Sequence, residues 1–162
     1  MSSGCRNFCD NIIICEGSEQ DAAEILAIQK LAFHGQGVLY NDFTLPPLIQ
    51  TLQELIQDFK MQAFLKAVHE GKIVGSVRGR MDGDRCHISR LTVHPDYQNK
   101  GIGKMLMRAI ESNFGDARRY ELFTGDKSEK NLALYRKLGY SRYETKPQGN
   151  NVMLICMKKR KE

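Results

Sequence analysis

The chain has 162 residues, 41% of them hydrophobic and 27% charged, which suits one domain with a core of its own and argues against a disordered tail. No run of about 18 or more apolar residues occurs, so no segment reads as a membrane-spanning helix, and residues 1–10 lack the basic-then-apolar pattern of a secretory signal. The formal charge of +5 hides a split: residues 1–62 hold three basic and eight acidic side chains, and residues 63–162 hold 21 and 11.

In chain order, residues 1–10 read as a flexible polar leader and residues 11–162 as a single domain. The β-branched run at 11–16 predicts a strand. Gly17 breaks it, and Ser18 with Asp21 three residues later forms a helix-start signal. Ile25, Ile28, Gln29, Ala32 and Phe33 recur at the helical period. Residues 35–47, with two glycines, an Asn-Asp pair and a Pro-Pro pair, are expected to form a loop. A second helix is expected within 48–59, on the stripe Leu48, Leu52, Leu55, Ile56 and Phe59. Strands follow at 63–69, 73–81 and 86–93, joined by the turns Glu70-Gly71-Lys72 and Asp82-Gly83-Asp84. Gly75 and Gly79 in the second of these strands suggest close packing or a bend. Residues 101–114 form the clearest helix, 119–124 another strand, and a helix capped by Ser128 runs to Leu138 before Gly139 stops it. A terminal hairpin over 140–146 and 151–158 completes a mixed α/β arrangement of helices around one sheet.

The five cysteines, Cys5, Cys9, Cys15, Cys86 and Cys156, are odd in number and irregular in spacing, which argues against a disulfide scaffold. Cys15 and Cys156 lie in apolar runs and are expected to pack as small hydrophobic groups. No metal site is expected, and the setting reads as reducing and cytoplasmic.

The segment Arg90-Leu91-Thr92-Val93-His94-Pro95-Asp96-Tyr97-Gln98-Asn99-Lys100-Gly101-Ile102-Gly103-Lys104 carries the chemistry. A strand ends, a polar turn follows, and a helix starts at two glycines spaced by one residue. Such a start presents unpaired N–H groups and the positive end of the helix dipole, which favour phosphate. A dinucleotide-binding unit would need a third glycine where Leu106 stands, and no Walker loop is present.

Gln98-Asn99-Lys100-Gly101-Ile102-Gly103, following Leu91-Thr92-Val93, resembles the acyl-coenzyme A signature of the GNAT superfamily of acetyl-CoA dependent N-acetyltransferases. Leu134-Tyr135-Arg136-Lys137-Leu138-Gly139-Tyr140 resembles a second element of that family. The resemblance implies a central mixed, mostly antiparallel sheet flanked by helices, with acetyl-CoA as co-substrate. It implies that the Val93 N–H points at the thioester carbonyl, that Leu91, Val93, Gln98 and Asn99 lie along the cofactor, and that the N–H groups of Lys100, Gly101, Ile102, Gly103 and Lys104 hold the pyrophosphate. Tyr135 matches the tyrosine that protonates the leaving thiolate, with packing or a pantetheine contact as the alternative. Ser128 and Asn131 match the pantetheine region, and Lys127, Lys130, Arg136 and Lys137 are within reach of the 3′-phosphate.

The family's glutamate base is absent: Ser89 holds one of its positions and His87 another, which makes His87 the candidate base. Glu16, Glu54, His34 and a water chain stay open. Simple alternation puts His87, Ser89 and Leu91 on one face. Tyr40, Asp42, Phe43 and Glu54 are the candidates for receiving the acceptor, combining charge with aromatic faces. The expected function is transfer of acetyl to a small cationic amine by direct attack in a ternary complex. The alternatives are a peptide or protein acceptor, or a non-catalytic coenzyme A sensor. The resemblance also allows a homodimer. Neither a nucleic acid nor a membrane is expected as a partner; the tail Lys158-Lys159-Arg160-Lys161 lacks an accompanying aromatic or helical reader.

Overall fold

A computed structural model describes residues 6–7 and 11–161. Cys5, Cys9 and most of the expected leader lie outside the described residues. Eight strands form one sheet in the order β1-β2-β3-β4-β5-β6-β8-β7. They are β1 (Arg6–Asn7), β2 (Ile12–Glu16), β3 (Ala63–His69), β4 (Lys72–Asp82), β5 (Arg85–Val93), β6 (Arg119–Gly125), β7 (Ser141–Gln148) and β8 (Val152–Arg160). Every neighbouring pair is antiparallel except β5 and β6. The helices are α1 (Ala22–Tyr40), α2 (Pro46–Ile49), α3 (Leu52–Met61), α4 (Ile102–Asn113) and α5 (Glu129–Lys137).

Two apolar clusters reflect the two faces of the sheet. Ala22, Ile25 and Ile28 of α1 and Leu55 of α3 pack with Phe64 and Ile73. The larger cluster gathers Ile102, Leu106 and Ile110 of α4 and Tyr135 of α5 with the inner strands. Gly75 and Gly79 let α4 lie against β4. A Cβ on Gly75 would stand 2.8 Å from the Thr92 carbonyl oxygen and 3.0 Å from Leu106, and one on Gly79 would stand 2.7 Å from the Phe114 ring.

Two expectations are corrected. The loop expected over 35–47 begins only after Tyr40, because α1 runs through both glycines. Gly37 is there for space: a Cβ would meet the Phe43 ring at 2.7 Å and Leu48 at 3.0 Å. Asn41, left-handed at φ 49°, ends the helix and donates to the Gly37 and Val38 carbonyls. The single helix expected within 48–59 is two. Gln50 and Thr51 are extended, and Thr51 restarts the chain with a capping box in which Glu54 Oε1 accepts from the Thr51 N–H at 2.8 Å. Cys15 also departs from its expected packing role, being disulfide-bonded, whereas Cys86 and Cys156 are buried free thiols.

Candidate active site

The parallel strands β5 and β6 pair only where Arg85, Cys86 and His87 face Arg119, Tyr120 and Glu121. Beyond those positions β5 stays with β4 and β6 with β8, so the two strands part and leave a V-shaped cleft. Ile88 to Leu91 form one wall and Leu122 to Gly125 the other. Phe33, Gln36 and Tyr40 of α1 cover it, with Ser128, Asn131 and Tyr135 from the α5 side. Tyr40, Leu45, Val152 and Leu154 pack into a third apolar cluster that closes one end.

A bulge in β5 sets what faces this cleft. Ser76 pairs with Thr92 but Arg78 pairs with Ser89, so Arg90 and Leu91 both stand opposite Val77. Arg90 is left-handed at φ 53°, and the Thr92 hydroxyl donates to its carbonyl at 3.0 Å. The extra residue reverses the side-chain alternation. Leu91 and Val93 join Cys86 and Ile88 in the α4-side cluster, whereas Ser89 reaches Gln62 of the α3 end. The shared face expected for His87, Ser89 and Leu91 is therefore broken at Arg90.

Past the bulge, the His94 N–H donates to the Val74 carbonyl at 2.8 Å. With Gly75 opposite Val93, that bond makes Gly75 and Val93 a non-hydrogen-bonded pair, so the Val93 N–H and C=O point away from β4, toward the opening. The Val93 carbonyl accepts from Gln98 Nε2 at 3.5 Å.

A second, open groove runs from the cleft across the start of α4. The two share Phe33, Gln36, Leu91, Ser128 and Asn131. Gly101 caps α4 at φ 82°, a left-handed conformation natural to glycine. The first intrahelical bond recorded there is Met105 N–H to the Gly101 carbonyl, so the N–H groups of Ile102, Gly103 and Lys104 lack helical acceptors. All three residues line the groove, as do Gly101, Gln98 and Asn99. Gly103 packs beside α5: a Cβ there would stand 3.4 Å from Leu134. Lys104, Lys127, Lys130 and Lys137 line the groove against Asp126 and Glu129. Lys100 instead lies over the Tyr97 ring, 5.4 Å from its centroid, and neither it nor Arg136 is among the groove's lining residues.

Tyr135 is 6% exposed, sits edge-on to Tyr140, and faces the cleft. Burial raises its phenol above the ordinary value, so it remains a protonated donor. Ser128 does not cap α5 through its side chain; its hydroxyl donates to Gln36 Oε1 at 2.7 Å, tying α1 to the helix start. Tyr40 is similarly anchored. Its hydroxyl accepts from the Lys127 N–H at 2.7 Å and donates to Asp126 Oδ1 at 3.1 Å, and burial is the main cause of its raised pKa.

The remaining candidates fall outside the cleft. His87 lies where β5 and β6 are still paired, 3.6 Å from Asp82 and 3.9 Å from Glu121, and does not line the cleft. Asp42 is occupied by Thr44, whose hydroxyl and N–H donate to it and lower its pKa. Glu54 is held by its Thr51 cap, which lowers it likewise. Phe43 packs over Gly37 and tilts against His34 at 5.5 Å. Of the four proposed acceptor contacts, Tyr40 alone reaches the cleft.

Sequence reasoning missed Arg90, Gln36 and Thr124, all of which line the cleft. Arg90 carried a signal. Strict alternation would put it on the core face beside Cys86 and Ile88, a poor place for a guanidinium, and the bulge resolves that conflict.

Residues 25–140 match the model of the Acetyltransferase (GNAT) family. UPF0157 protein YqkA of Bacillus subtilis is 28% identical over 135 residues, covering 82% of this chain but only 38% of that protein. An acetyltransferase of Yersinia pestis is 30% identical over 95 residues, covering 57% of this chain and 67% of the relative. PaiA N-acetyltransferase from Thermoplasma acidophilum, solved with coenzyme A, superposes with a TM-score of 0.80 at 17% identity, covering 93% of this chain and 99% of that one. The ribosomal-protein-S18-alanine N-acetyltransferase of Escherichia coli gives 0.76 at 16% identity, covering 92% and 93%. Both structures share the fold.

Proposed function

Because the chain belongs to the acetyltransferase (GNAT) family, we propose that it transfers the acetyl group of acetyl-CoA to the primary amine of a small molecule, by direct attack in a ternary complex. The observation that carries this reading is the cleft between β5 and β6, with the Val93 N–H directed at it and a continuous groove leading to the exposed amides of α4. The groove fits acetyl-CoA by its donor set: free N–H groups and lysines for the phosphates, and Leu91, Leu134 and Asn131 for the pantetheine arm. That the solved PaiA relative of the same fold holds coenzyme A adds support.

In this reading the neutral amine attacks the thioester carbon. The Val93 N–H stabilises the negative charge that develops on the carbonyl oxygen. The carbon–sulfur bond breaks, and the thiolate takes the Tyr135 phenol proton while the amine loses one to water. No carboxylate or imidazole lines the cleft among the described residues, so we assign proton removal to water and none to His87. No cysteine lines it either, which favours direct attack over an acetyl-enzyme. The closed end formed by Tyr40, Leu45, Val152 and Leu154 favours a small acceptor over an extended peptide. The expectation of a cationic acceptor rested on Asp42 and Glu54, and loses its basis with both outside the cleft.

Mass spectrometry of acetyl-CoA incubated with a panel of small amines and peptides tests this. An acetylated small amine is the expected product. Tight coenzyme A binding with no acetylated product in any mixture would overturn the assignment and leave a coenzyme A sensor; acetylated peptide alone would overturn the small-molecule acceptor.

A further inference from the structure

Arg90 is the only charged side chain among the described residues that line the cleft. It makes no hydrogen bond and no ion pair with any described residue, and its Nε is buried without a partner. Its neighbour Arg78 also leaves Nε without a partner, but both of its terminal nitrogens are engaged. Arg78 is 2% exposed, donates to Asp58 Oδ2 at 2.7 Å and to Gln29 Oε1 at 2.6 Å, and lies over the Phe64 ring. Gln50 then donates to the same Asp58 oxygen at 2.7 Å. Arg90 feels Asp58 without pairing to it, and Arg78 and Arg90 repel each other. Two guanidinium groups thus share one carboxylate already committed to the first. One positive charge is left over at the wall of a cleft that no acidic side chain lines among the described residues. Arg90 is half-buried with a buried, unpartnered Nε, so a charged partner would strengthen its hydrogen bonding, and its place beside the proposed reaction centre points to a substrate anion.

We propose that Arg90 receives a carboxylate of the acceptor, so that the substrate is an amino acid or similar amino-carboxylate rather than a simple or polycationic amine. This rests on the acetyl-transfer reading above. A guanidinium matches a carboxylate with two parallel N–H donors. The excess of one charge fits a monoanion, and the other polar groups around the cleft, including Ser89, Thr124 and Gln148, are neutral. Arg90 lies three residues before Val93 on the same strand, with the bulge between them, so the two ends of one small molecule can meet both.

The test compares amino acids with their carboxamides and decarboxylated amines in a coenzyme A release assay, for the wild type, Arg90→Gln and Arg90→Lys. For amino acids, kcat/KM is expected to fall about 10- to 100-fold in R90Q and to be partly retained in R90K, with the carboxamides changed little. Coenzyme A affinity stays constant. The apo melting temperature of R90Q is unchanged or higher, since an uncompensated charge has been removed, whereas a structural arginine would leave it lower. A second arm titrates N-acetyl amino acids and their amides into the coenzyme A complex by calorimetry and needs no turnover. Binding of the acids alone, weakened by R90Q, is expected. Faster turnover of carboxylate-free amines, or equal binding of acids and amides, overturns the role of Arg90 while leaving acetyl transfer intact. Carboxylate binding without transfer to any acceptor overturns the transferase instead.

Discussion

At the scale of single residues, the proposed chemistry asks little of side chains. In it a backbone N–H receives the thioester carbonyl, and Tyr135, which burial keeps protonated, is the proposed proton donor. Tyr135→Phe should lower kcat by about 100-fold, within the range expected for general acid catalysis, with the KM for acetyl-CoA little changed; stopped assays of coenzyme A release will show it. Because burial raises the phenol, it does not ionise as pH climbs from 6 to 9. The rate should therefore rise with pH as the acceptor amine is deprotonated, with no descending limb from Tyr135. His87→Ala should leave both that profile and kcat/KM unchanged within about twofold, since His87 sits with Asp82 and Glu121 outside the cleft; a flattened profile in the variant would restore it as the base.

At the scale of elements, the acceptor side is built by short-range geometry. Thr51 and Glu54 cap α3 reciprocally, and α3 brings Asp58 to Arg78. Thr51→Ala should cost about 1 kcal/mol of stability in urea denaturation while leaving the KM for any acceptor unchanged. A shifted KM with unchanged stability would instead support the acceptor role first expected of Glu54. These same elements show where sequence reasoning stops. Strands β2 to β8, α4 and α5 were legible within one or two residues because their apolar periods are clear and their turns carry Gly, Asp and Pro, whereas β1 falls in the stretch read as a flexible leader. The end of α1 was not legible, because Gly37, which reads as a helix breaker, here makes room for Phe43 and Leu48. The bulge at Arg90 was not either: a single left-handed residue leaves no period in the sequence, yet it decides which side chains face the cleft. The start of α4 with its exposed amides is carried by contiguous motif residues and was readable. The cleft, assembled from stretches spread from Phe33 to Leu154, was not.

At the scale of the molecule, the charge split of the sequence resolves unevenly. Four lysines do line the groove, but Lys158 and Lys159 lie over Tyr143 and Tyr140, and Lys159 also pairs with Glu111 at 2.8 Å. The acidic half lends the cleft Phe33, Gln36, Tyr40, Leu45 and Pro47 but none of its carboxylates. Burial has a further consequence for stability. It raises Cys86 from 9.0 to about 12 and also raises Tyr120, Tyr135 and Tyr140. Raised folded-state values mean that the unfolded chain ionises first, so the stabilisation is complete below pH 9 and is lost as pH climbs from 9 toward 12. Thermal melts should show the melting temperature falling across that window, and Cys86→Ala should make the fall shallower.

The central claim is acetyl transfer in a single ternary complex at the parting of β5 and β6. Steady-state coenzyme A release, with acetyl-CoA and an amine acceptor varied together, tests it most directly. Intersecting double-reciprocal lines, with release dependent on the amine, are the expected result. Parallel lines with an isolable acetyl-enzyme, or release indifferent to the amine, would contradict it.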